Sequence, residues 1–412
     1  MTIAAPSKTR LYLEPIVILA FALRLTVAFL TLRNHPAAWF FHQATELGEL
    51  AHSLVTTHSL RSPFGGNTGP SAFLAPGYPL FIALIFKLFG SFTSSAAEAI
   101  VVLQSVFGAL TVFVLMRLGQ RLGGTLVANV AGIIWAVSPP LVALPTVFWE
   151  TSLSILLLTA IVAFTLRSYE RPALHTWLAL GALCLIALYT NPSLALATLA
   201  CLAWLILSAA RKRAPILLTV AVLLLFTPWP IRNLRVMHAF IPLRDNLGYE
   251  LWQGNRPGAD GFFDATLHPN NNADEFNRFR ALGELGYMRD KGDQARETIR
   301  SMPVRFLGFT AIRVACFWTG AGRQSSWPMT FYTTLTAAFG FAGLWMLFEE
   351  HKKTAILLAI PLALLPIPYY ITHPDYRFRC VVDPLLTLLT AYALLSWSGH
   401  ESILPDTVPS KK

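Results

Sequence analysis

Two glutamates carry the clearest sign of chemistry in this sequence of 412 residues. Glu46 lies on the polar face of an amphipathic segment, TELGELAHSL, and Glu150 precedes a long apolar run, in FWETSL. An acidic residue at the start of a helix can simply be a partner of the helix dipole. Two carboxylates facing one cavity could instead take a proton from a substrate or bind a divalent metal ion. We therefore predict that Glu46 and Glu150 are catalytic, with a divalent metal as the one cofactor considered.

Arginines form a second group of candidates. Arg232 lies in PWPIRN, Arg244 in PLRDN, and both Arg377 and Arg379 in HPDYRFR. A planar guanidinium matches phosphate oxygens with two parallel hydrogen bonds, so an anionic ligand such as a phosphate or diphosphate would suit them. The alternative is structural, namely salt bridges to nearby aspartates or contacts with lipid head groups.

Three further residues are candidates for contacting a ligand outside the membrane. Trp252, Asn255 and His268 lie in the long segment that follows Arg232. Aromatic and amide side chains are common in such sites, but they are equally common in small loop folds. The four cysteines have no CxxC spacing, so we predict that they are packing residues rather than a metal or disulfide site.

The composition indicates which elements hold these residues. Hydrophobic residues make up 54% of the chain and charged residues 13%, whereas a soluble domain has about a quarter charged. Long uncharged runs must be helices if they lie in lipid, because every backbone polar group must be satisfied internally. We predict an all-α polytopic membrane protein with about ten spans near 12–32, 96–117, 125–143, 152–167, 174–190, 193–209, 214–229, 331–348, 354–371 and 381–397.

Charge sets the orientation of these spans. Basic clusters in the short loops, beginning with Lys8 and Arg10, would lie in the cytoplasm by the positive-inside rule. This accounts for the net charge of +10, and no nucleic acid is expected as a partner. The orientation requires that 78–89 and 304–318 lie at the interface or re-enter without crossing. Arg24, midway along the first span, is either a functional charge or a structural one.

The spans divide the chain into three parts. Residues 1–229 would form a transmembrane catalytic module that includes a first outer loop, 33–95. Residues 230–330 would form an outer, periplasmic segment with an interfacial helix. Residues 331–412 would form the C-terminal transmembrane helices and a cytoplasmic tail. This places the carboxylates and arginines on one face of the membrane.

The order of these features resembles the GT-C glycosyltransferases, specifically the dolichyl-phosphate-mannose protein mannosyltransferase-like group (family 39, with the enzymes that glycosylate lipid A or the lipopolysaccharide core). That group has an acidic residue in the first outer loop, where this chain has Glu46, and another after the third span, where it has Glu150. A proline-rich turn and short helix correspond to 62–90, and a PW-x-x-RN motif corresponds to 228–233. A late Tyr-Arg-x-Arg loop corresponds to 376–379, and the resemblance covers about 12–397.

The resemblance implies the transfer of a sugar, with inversion, from a polyprenyl-phosphate-linked donor at the outer face of the cell (inner) membrane. Glu46 would be the base or the group that positions the acceptor, and Glu150 would assist it. The partners would be the donor, membrane lipids, and a lipid, glycan or protein acceptor. The lipid phosphate would be bound by Arg232, Tyr376, Arg377 and Arg379. The sugar or the acceptor would be contacted by Trp252, Asn255 and His268.

Three other functions remain open from the sequence. A transporter or flippase of lipid-linked sugars would bind its ligand near the midplane and often shows inverted repeats, which are not evident here. A ligase or polymerase of lipid-linked oligosaccharides shares the chemistry at the outer face, and only its product distinguishes it. A non-catalytic scaffold would not need two carboxylates and several arginines that converge.

Overall fold

A computed structural model describes residues 10–323 and 325–399. Lys8 and the predicted cytoplasmic tail beyond residue 399 lie outside the described residues. Helices account for 78% of the model, and the part of the chain that is described contains no strand. The prediction of an all-α polytopic fold is confirmed.

Nineteen α-helices are defined within the described ranges. The first eleven are α1 (Leu13–Asn34), α2 (Ala37–His42), α3 (Thr45–Thr57), α4 (Gly77–Phe89), α5 (Ser94–Val137), α6 (Pro139–Ala143), α7 (Thr151–Glu170), α8 (Leu174–Thr190), α9 (Pro192–Ser208), α10 (Arg213–Phe226) and α11 (Pro228–Met237). The others are α12 (Leu247–Asn255), α13 (Ala273–Ser301), α14 (Pro303–Thr319), α15 (Trp327–Glu350), α16 (Lys352–Leu364), α17 (Ile367–Ile371), α18 (Tyr376–Cys380) and α19 (Asp383–Trp397).

Each of the ten predicted spans coincides with a helix. In the described part, six helical stretches are long and apolar enough to cross a bilayer on their own, and α8 and α9 are apolar helices of 17 residues. That length is close to the lower limit for a crossing. Leu217, Leu224 and Leu225 on α10 are more than half exposed, as expected for side chains that face lipid.

Helix α5 contains two of the predicted spans. Its 44 residues are interrupted at Gly123 and Gly124, which have non-helical backbone angles. Gly124 has a φ of +77°, which only glycine adopts without strain. The chain reverses there, since Gly119 lies against Ala128 and Gly132 lies against Met116. The span predicted at 96–117 is therefore in the first half of α5, and the span predicted at 125–143 covers its second half and α6.

Arg24 is a buried charge in the first span, and it is 1% exposed. Its guanidinium donates to the carbonyls of Ala20, Trp135 and Ala136. Gly108 makes room for it, because a Cβ there would lie 2.6 Å from the Arg24 Cδ. The arginine therefore binds the C-terminal carbonyls of α5, where a cation is favoured by the helix dipole, and joins α1 to α5.

The two segments predicted not to cross are the short helix α4 and the amphipathic α14. The start of α4, at Gly77, lies against the Tyr189 carbonyl, and after its end Phe92 packs against Gly48 and Phe41. Both ends of α4 therefore contact elements around the first outer loop. In α14, Arg313 is buried and donates to the carbonyls of Gly254 and Ile371. This arginine binds protein rather than lipid head groups.

One predicted boundary is wrong. The seventh span was expected to end at residue 229, but α11 continues the helical direction of α10 through Pro228 to Met237. Proline is tolerated there because it occupies the first turn of α11, where its missing N–H is not needed. The PWPIRN motif is therefore helical, and Arg232 projects from a helix rather than from a loop.

Candidate active site

A single cavity of about 520 Å³ brings together the predicted carboxylates and two of the four candidate arginines, Arg244 and Arg377. It lies where α3, α7, α9 and α12 begin and where α17 is followed by α18. Glu46, Glu150 and Arg377 all line it. With alternating spans these segments all fall on one side of the membrane, so the predicted convergence is present in the structure.

The segments that precede Glu46 and Glu150 are hydrogen-bonded to each other. Glu46 is in the first turn of α3 and is 8% exposed. Just before it, the Gln43 side chain donates to the Thr146 carbonyl at 3.0 Å, and the Gln43 carbonyl accepts a hydrogen bond from Trp149 Nε1 at 3.2 Å. These bonds fix the entry to α3 against the entry to α7.

Glu150 occupies the N-cap position of α7, and its carbonyl accepts a hydrogen bond from Ser154 at 2.8 Å. Burial raises the pKa of its carboxyl group. Arg377 and Arg244 favour the ionised form and oppose this shift, while the negative charge of Glu46 adds to it. The two glutamates are thus close enough to interact electrostatically, and arginines balance them.

Arg377 lies in α18 with its guanidinium over the Trp149 ring, 4.3 Å from the ring centroid. Its Nε donates to Asp375 at 3.2 Å, which leaves the other guanidinium nitrogens without a hydrogen-bond acceptor among the described residues. Burial would lower its pKa, but Asp375 and Glu150 outweigh burial and raise it. The result is a fixed cation beside Glu150.

Two of the candidate arginines, Arg232 and Arg379, have structural partners. Arg232 donates to the carbonyls of Ser71 at 2.8 Å and Leu60 at 3.1 Å. Arg379 is 2% exposed, forms a buried ion pair with Asp383 and donates to the Thr333 carbonyl. Neither residue lines the cavity, and neither does Tyr376, which packs against the hydrophobic core. Their role in binding a phosphate stays a prediction from the sequence.

The three candidates for sugar contact separate in the same way. His268 lines the cavity. Trp252 donates from Nε1 to Gln294 at 3.0 Å, and Asn255 bonds the Ile371 carbonyl and Arg313. Trp252 therefore joins α12 to α13, Asn255 joins α12 to α14 and α17, and neither residue lines the cavity.

Arg244, a candidate from the sequence, also lines the cavity and has no hydrogen bond or ion pair with any described residue. Glu250, His373 and Asn246 form a hydrogen-bonded set on the same wall, and none of the three was among the candidates. For these residues the sequence offered only a weak signal, because Asn246 follows PLRD and His373 precedes the YRFR motif.

A divalent metal between Glu46 and Glu150 stays a prediction. Two carboxylates at one cavity suit a hard cation that keeps several water ligands. Among the described residues, however, no group of three or more His, Cys, Asp or Glu side chains is arranged to hold a metal ion. The residues therefore do not form a complete protein site for one.

Comparison with known proteins gives a family match and a fold. Residues 74–231 match the family model described as dolichyl-phosphate-mannose-protein mannosyltransferase. These residues include Glu150 and α4, but not Glu46 or Arg377. No curated protein matches the sequence.

Solved structures extend the similarity to nearly the whole chain. The apo oligosaccharyltransferase of Archaeoglobus fulgidus matches with a TM-score of 0.52 and 12% identity, over 93% of this chain and 50% of that chain. The same enzyme tethered to an acceptor peptide gives a TM-score of 0.54, with 12% identity over 93% of this chain and 49% of that chain. This chain thus spans about half the length of the archaeal enzyme.

A bacterial structure is also similar. ArnT from Cupriavidus metallidurans, bound to undecaprenyl phosphate, has a TM-score of 0.40 and 17% identity over 93% of this chain and 62% of that chain. At 12% identity, the matches to the archaeal enzyme are evidence for the fold alone. We conclude that the chain has the fold of the GT-C membrane glycosyltransferases and is similar to the dolichyl-phosphate-mannose protein mannosyltransferase-like group, which confirms the resemblance predicted from its motifs.

Proposed function

We propose that this protein transfers a sugar, a hexose or a pentose, from a polyprenyl-phosphate-linked donor to an acceptor at the outer face of the cytoplasmic (inner) membrane. The observation that carries the proposal is the convergence of Glu46, Glu150 and Arg377 on one cavity. A proton acceptor and a phosphate-binding cation are the two groups that such a transfer needs. The acceptor is a lipid, a glycan or a protein.

The orientation is supported by the loops. The cavity lies at the ends of α1, α7 and α9 that are opposite to the basic loops near Arg117, Arg167 and 211–213. Positively charged loops favour the cytoplasmic side. The cavity would then open to the periplasm, where a lipid-linked donor can reach it from the membrane.

The reaction follows from the charges in the cavity. Glu46 removes the proton of the acceptor as the acceptor attacks the anomeric carbon of the donor. The bond between that carbon and the phosphate oxygen breaks, and its electron pair leaves with the lipid phosphate. Arg377 and the unpartnered Arg244 stabilise the charge that develops on the phosphate. Attack opposite to the leaving phosphate inverts the anomeric centre.

The decisive experiment is a transfer assay with Glu46→Gln in reconstituted vesicles and purified lipid-linked donor. We expect a loss of about 100-fold or more, since general base catalysis contributes about 10²–10⁴-fold. Glu49→Gln on the same helix is the matched control and should transfer at the normal rate, because Glu49 does not line the cavity. Near-normal turnover by Glu46→Gln would overturn the assignment of the base.

The same assay separates the alternatives. A flippase would move labelled donor across the vesicle membrane without forming a glycosidic product, and a ligase or polymerase would transfer an oligosaccharide instead of a single sugar.

We also propose a test for the metal. Dialysis against EDTA, followed by assay with added Mg²⁺ or Mn²⁺, should leave the rate unchanged if Glu46 and Glu150 act without a cation.

A further inference from the structure

One wall of the cavity is built from the segment after Arg244 and from loops that contact it. We call it the outer wall, defined by Asn246, Glu250, Phe263, Asn270, Asn271 and His373, all of which line the cavity. None of these residues belongs to the group that removes the proton or binds the phosphate in the proposed reaction. Its side chains are a carboxylate, amides and rings.

Glu250 is held in one orientation by two donors from different parts of the chain. Its Oε2 lies 2.8 Å from Nε2 of His373, and its Oε1 accepts from the Asn246 side chain at 2.8 Å. The His373 ring packs against Phe263 on one side and Phe378 on the other, with centroid distances of 5.2 and 5.9 Å. Since an ionised carboxylate only accepts hydrogen bonds, the Nε2 of His373 carries a proton.

This arrangement leaves Glu250 with spare capacity. Each carboxylate oxygen can accept about two hydrogen bonds, and among the described residues each has one donor. The Glu250 side chain is 19% exposed and lines the cavity, whereas that of His373 is 7% exposed. A ligand in the cavity can therefore donate to Glu250, and His373 and Asn246 act as the residues that position it. Neighbouring hydroxyl groups of a sugar are suitable donors.

The charge of the wall restricts the ligand. Burial opposes ionisation of Glu250, but the hydrogen bond and charge of His373, together with Arg244 and Arg377, lower its pKa below the ordinary value. Glu250 is therefore a carboxylate in the folded protein. A ligand carboxylate placed against Glu250 would meet a like charge and could not donate a hydrogen bond to it.

We propose that the outer wall is the subsite for the transferred sugar, and that Glu250, clamped by His373 and Asn246, binds its hydroxyl groups and selects sugars without a carboxylate. This inference rests on the proposed function. It identifies the donor as a polyprenyl phosphate that carries a neutral or amino sugar and not a uronic acid.

The test is equilibrium binding to the full-length protein in nanodiscs of uncharged lipid. The probes are polyprenyl phosphate without sugar, polyprenyl-phosphate glucose, mannose and galactose, and polyprenyl-phosphate glucuronate. The wild-type protein should bind at least one neutral hexose about tenfold or more tightly than the glucuronate. Glu250→Gln, which keeps the shape of the side chain, should lose about ten- to hundred-fold in affinity for that hexose, the range of a hydrogen bond to a charged group.

The control probes identify the cause. Affinity for polyprenyl phosphate without sugar should not fall in Glu250→Gln, because its phosphate meets Arg377 and Arg244 and the substitution removes a negative charge near them. His373→Gln, which keeps the carboxylate but removes the ring, should shift hexose affinity in the same direction, and exposed Glu297→Gln should have no effect. Unchanged hexose preference in both Glu250→Gln and His373→Gln would overturn the subsite, as would glucuronate binding as tight as that of the hexoses.

The failure of the proposed function looks different. If the wild-type protein bound none of the probes, including polyprenyl phosphate, the donor class itself would be wrong and the subsite would fall with it. If polyprenyl phosphate bound and the attached sugar added no affinity, the proposed function would stand and the subsite alone would be overturned.

Discussion

Acidic side chains are neutralised in two different ways on the two sides of the segment around Arg244. Inside the cavity, Glu150 and Glu250 face Arg244 and Arg377, which have hydrogen-bonding capacity left for a ligand. Outside it, Asp245 faces another carboxyl group, Glu284 of α13. Of these two adjacent residues, Arg244 thus belongs to a site that can take a ligand, and Asp245 belongs to a contact between two buried carboxyl groups.

The outer pair fastens α13 to the first outer loop. Glu284 Oε1 accepts from the Ala72 N–H at 2.6 Å, and the Asp245 N–H donates to the Ala72 carbonyl at 3.2 Å. Burial raises the pKa of Asp245 to about 6, and burial together with Asp245 raises that of Glu284 well above its ordinary value. Two carboxyl groups this close share a proton instead of both ionising. Glu150 and Glu250 therefore lie where a ligand can contact them, whereas Asp245 and Glu284 stabilise the fold.

The largest expected effect belongs to the cavity. Glu150→Gln should lower the transfer rate by about 100-fold or more, because it removes the carboxylate that assists Glu46. Since burial raises the pKa of Glu150, the wild-type rate should fall on the acidic side at a pH above 4.5, the ordinary value for a glutamate. Rates measured from pH 4.5 to 8 provide the check.

The variant also supplies the control for this prediction. In Glu150→Gln the part of the decrease in transfer rate at acidic pH that is due to protonation of Glu150 should disappear. The thermal unfolding temperature should stay close to that of the wild type. If the transfer rate decreased in the same way at acidic pH in both proteins, Glu150 would not be the group that titrates. Its proposed role in assisting Glu46 would then be wrong.

The two arginines of the YRFR motif provide the second test. Arg377→Ala should weaken donor binding by about ten- to hundred-fold with little change in stability, because Arg377 faces the cavity. Arg379→Ala should instead cost about 3–5 kcal/mol of unfolding free energy, since it leaves Asp383 buried without its partner. Donor titrations and denaturant unfolding, carried out on both variants, separate the two outcomes.

A reversed pattern would contradict this division. If Arg379→Ala folded normally and bound the donor weakly, the prediction from the motif that Arg379 binds the phosphate would be right. The change Asp383→Asn gives a matched control, because it removes the charge of the ion pair without touching the cavity.

The sequence predicted the spans and the convergence of the carboxylates for the same reason. Apolar runs with charged ends determine where a helix enters lipid, so Glu46 and Glu150 could be placed on one face from span parity alone. Side-chain direction within a short element could not be obtained in this way. Arg377 and Arg379 lie two residues apart in the five-residue helix α18, and one faces the cavity while the other is buried against α15 and α19.

The residues that were missed depend on distant partners. Glu250 and His373 are separated by 123 positions, and nothing in either local sequence indicates that they meet. Arg232 was predicted to bind phosphate from its motif, but its acceptors are backbone carbonyls 161 and 172 positions away. Carbonyl acceptors leave no trace in sequence composition, so a structural arginine and a ligand-binding one look the same.

A smaller effect is expected from the outer carboxyl pair. The pKa values of Asp245 and Glu284 are higher in the folded protein than in the unfolded chain, where carboxyl groups titrate near pH 4. The pair therefore stabilises the fold fully below about pH 4, and this contribution is lost as the pH rises through about 6. For Asp245 the change amounts to up to about 3 kcal/mol.

Hydrogen exchange measures this directly. Amide protection at Ala72 and along α13 should decrease from pH 5 to pH 8 after correction for the intrinsic exchange rate. In Asp245→Asn the amide can donate to Glu284 at every pH, so the decrease should be largely abolished. Protection that rises with pH in the wild-type protein would show that the two carboxyl groups are paired with cations instead.

The smallest expected effect distinguishes Trp252 from His268, which were both predicted from the sequence to contact the sugar or the acceptor. Trp252 is 6% exposed, donates to Gln294 of α13, and has Lys291 Nζ 3.6 Å from its ring centroid. Trp252→Phe should lose about 1 kcal/mol of unfolding free energy through that hydrogen bond and leave the KM for the acceptor within about twofold. His268→Asn, at a residue that lines the cavity, should raise the KM for the acceptor or donor without a comparable loss of stability. If instead Trp252→Phe raised KM and His268→Asn did not, the substrate would have to bind between α12 and α13. Trp252 would then belong to the ligand site, and His268 would not.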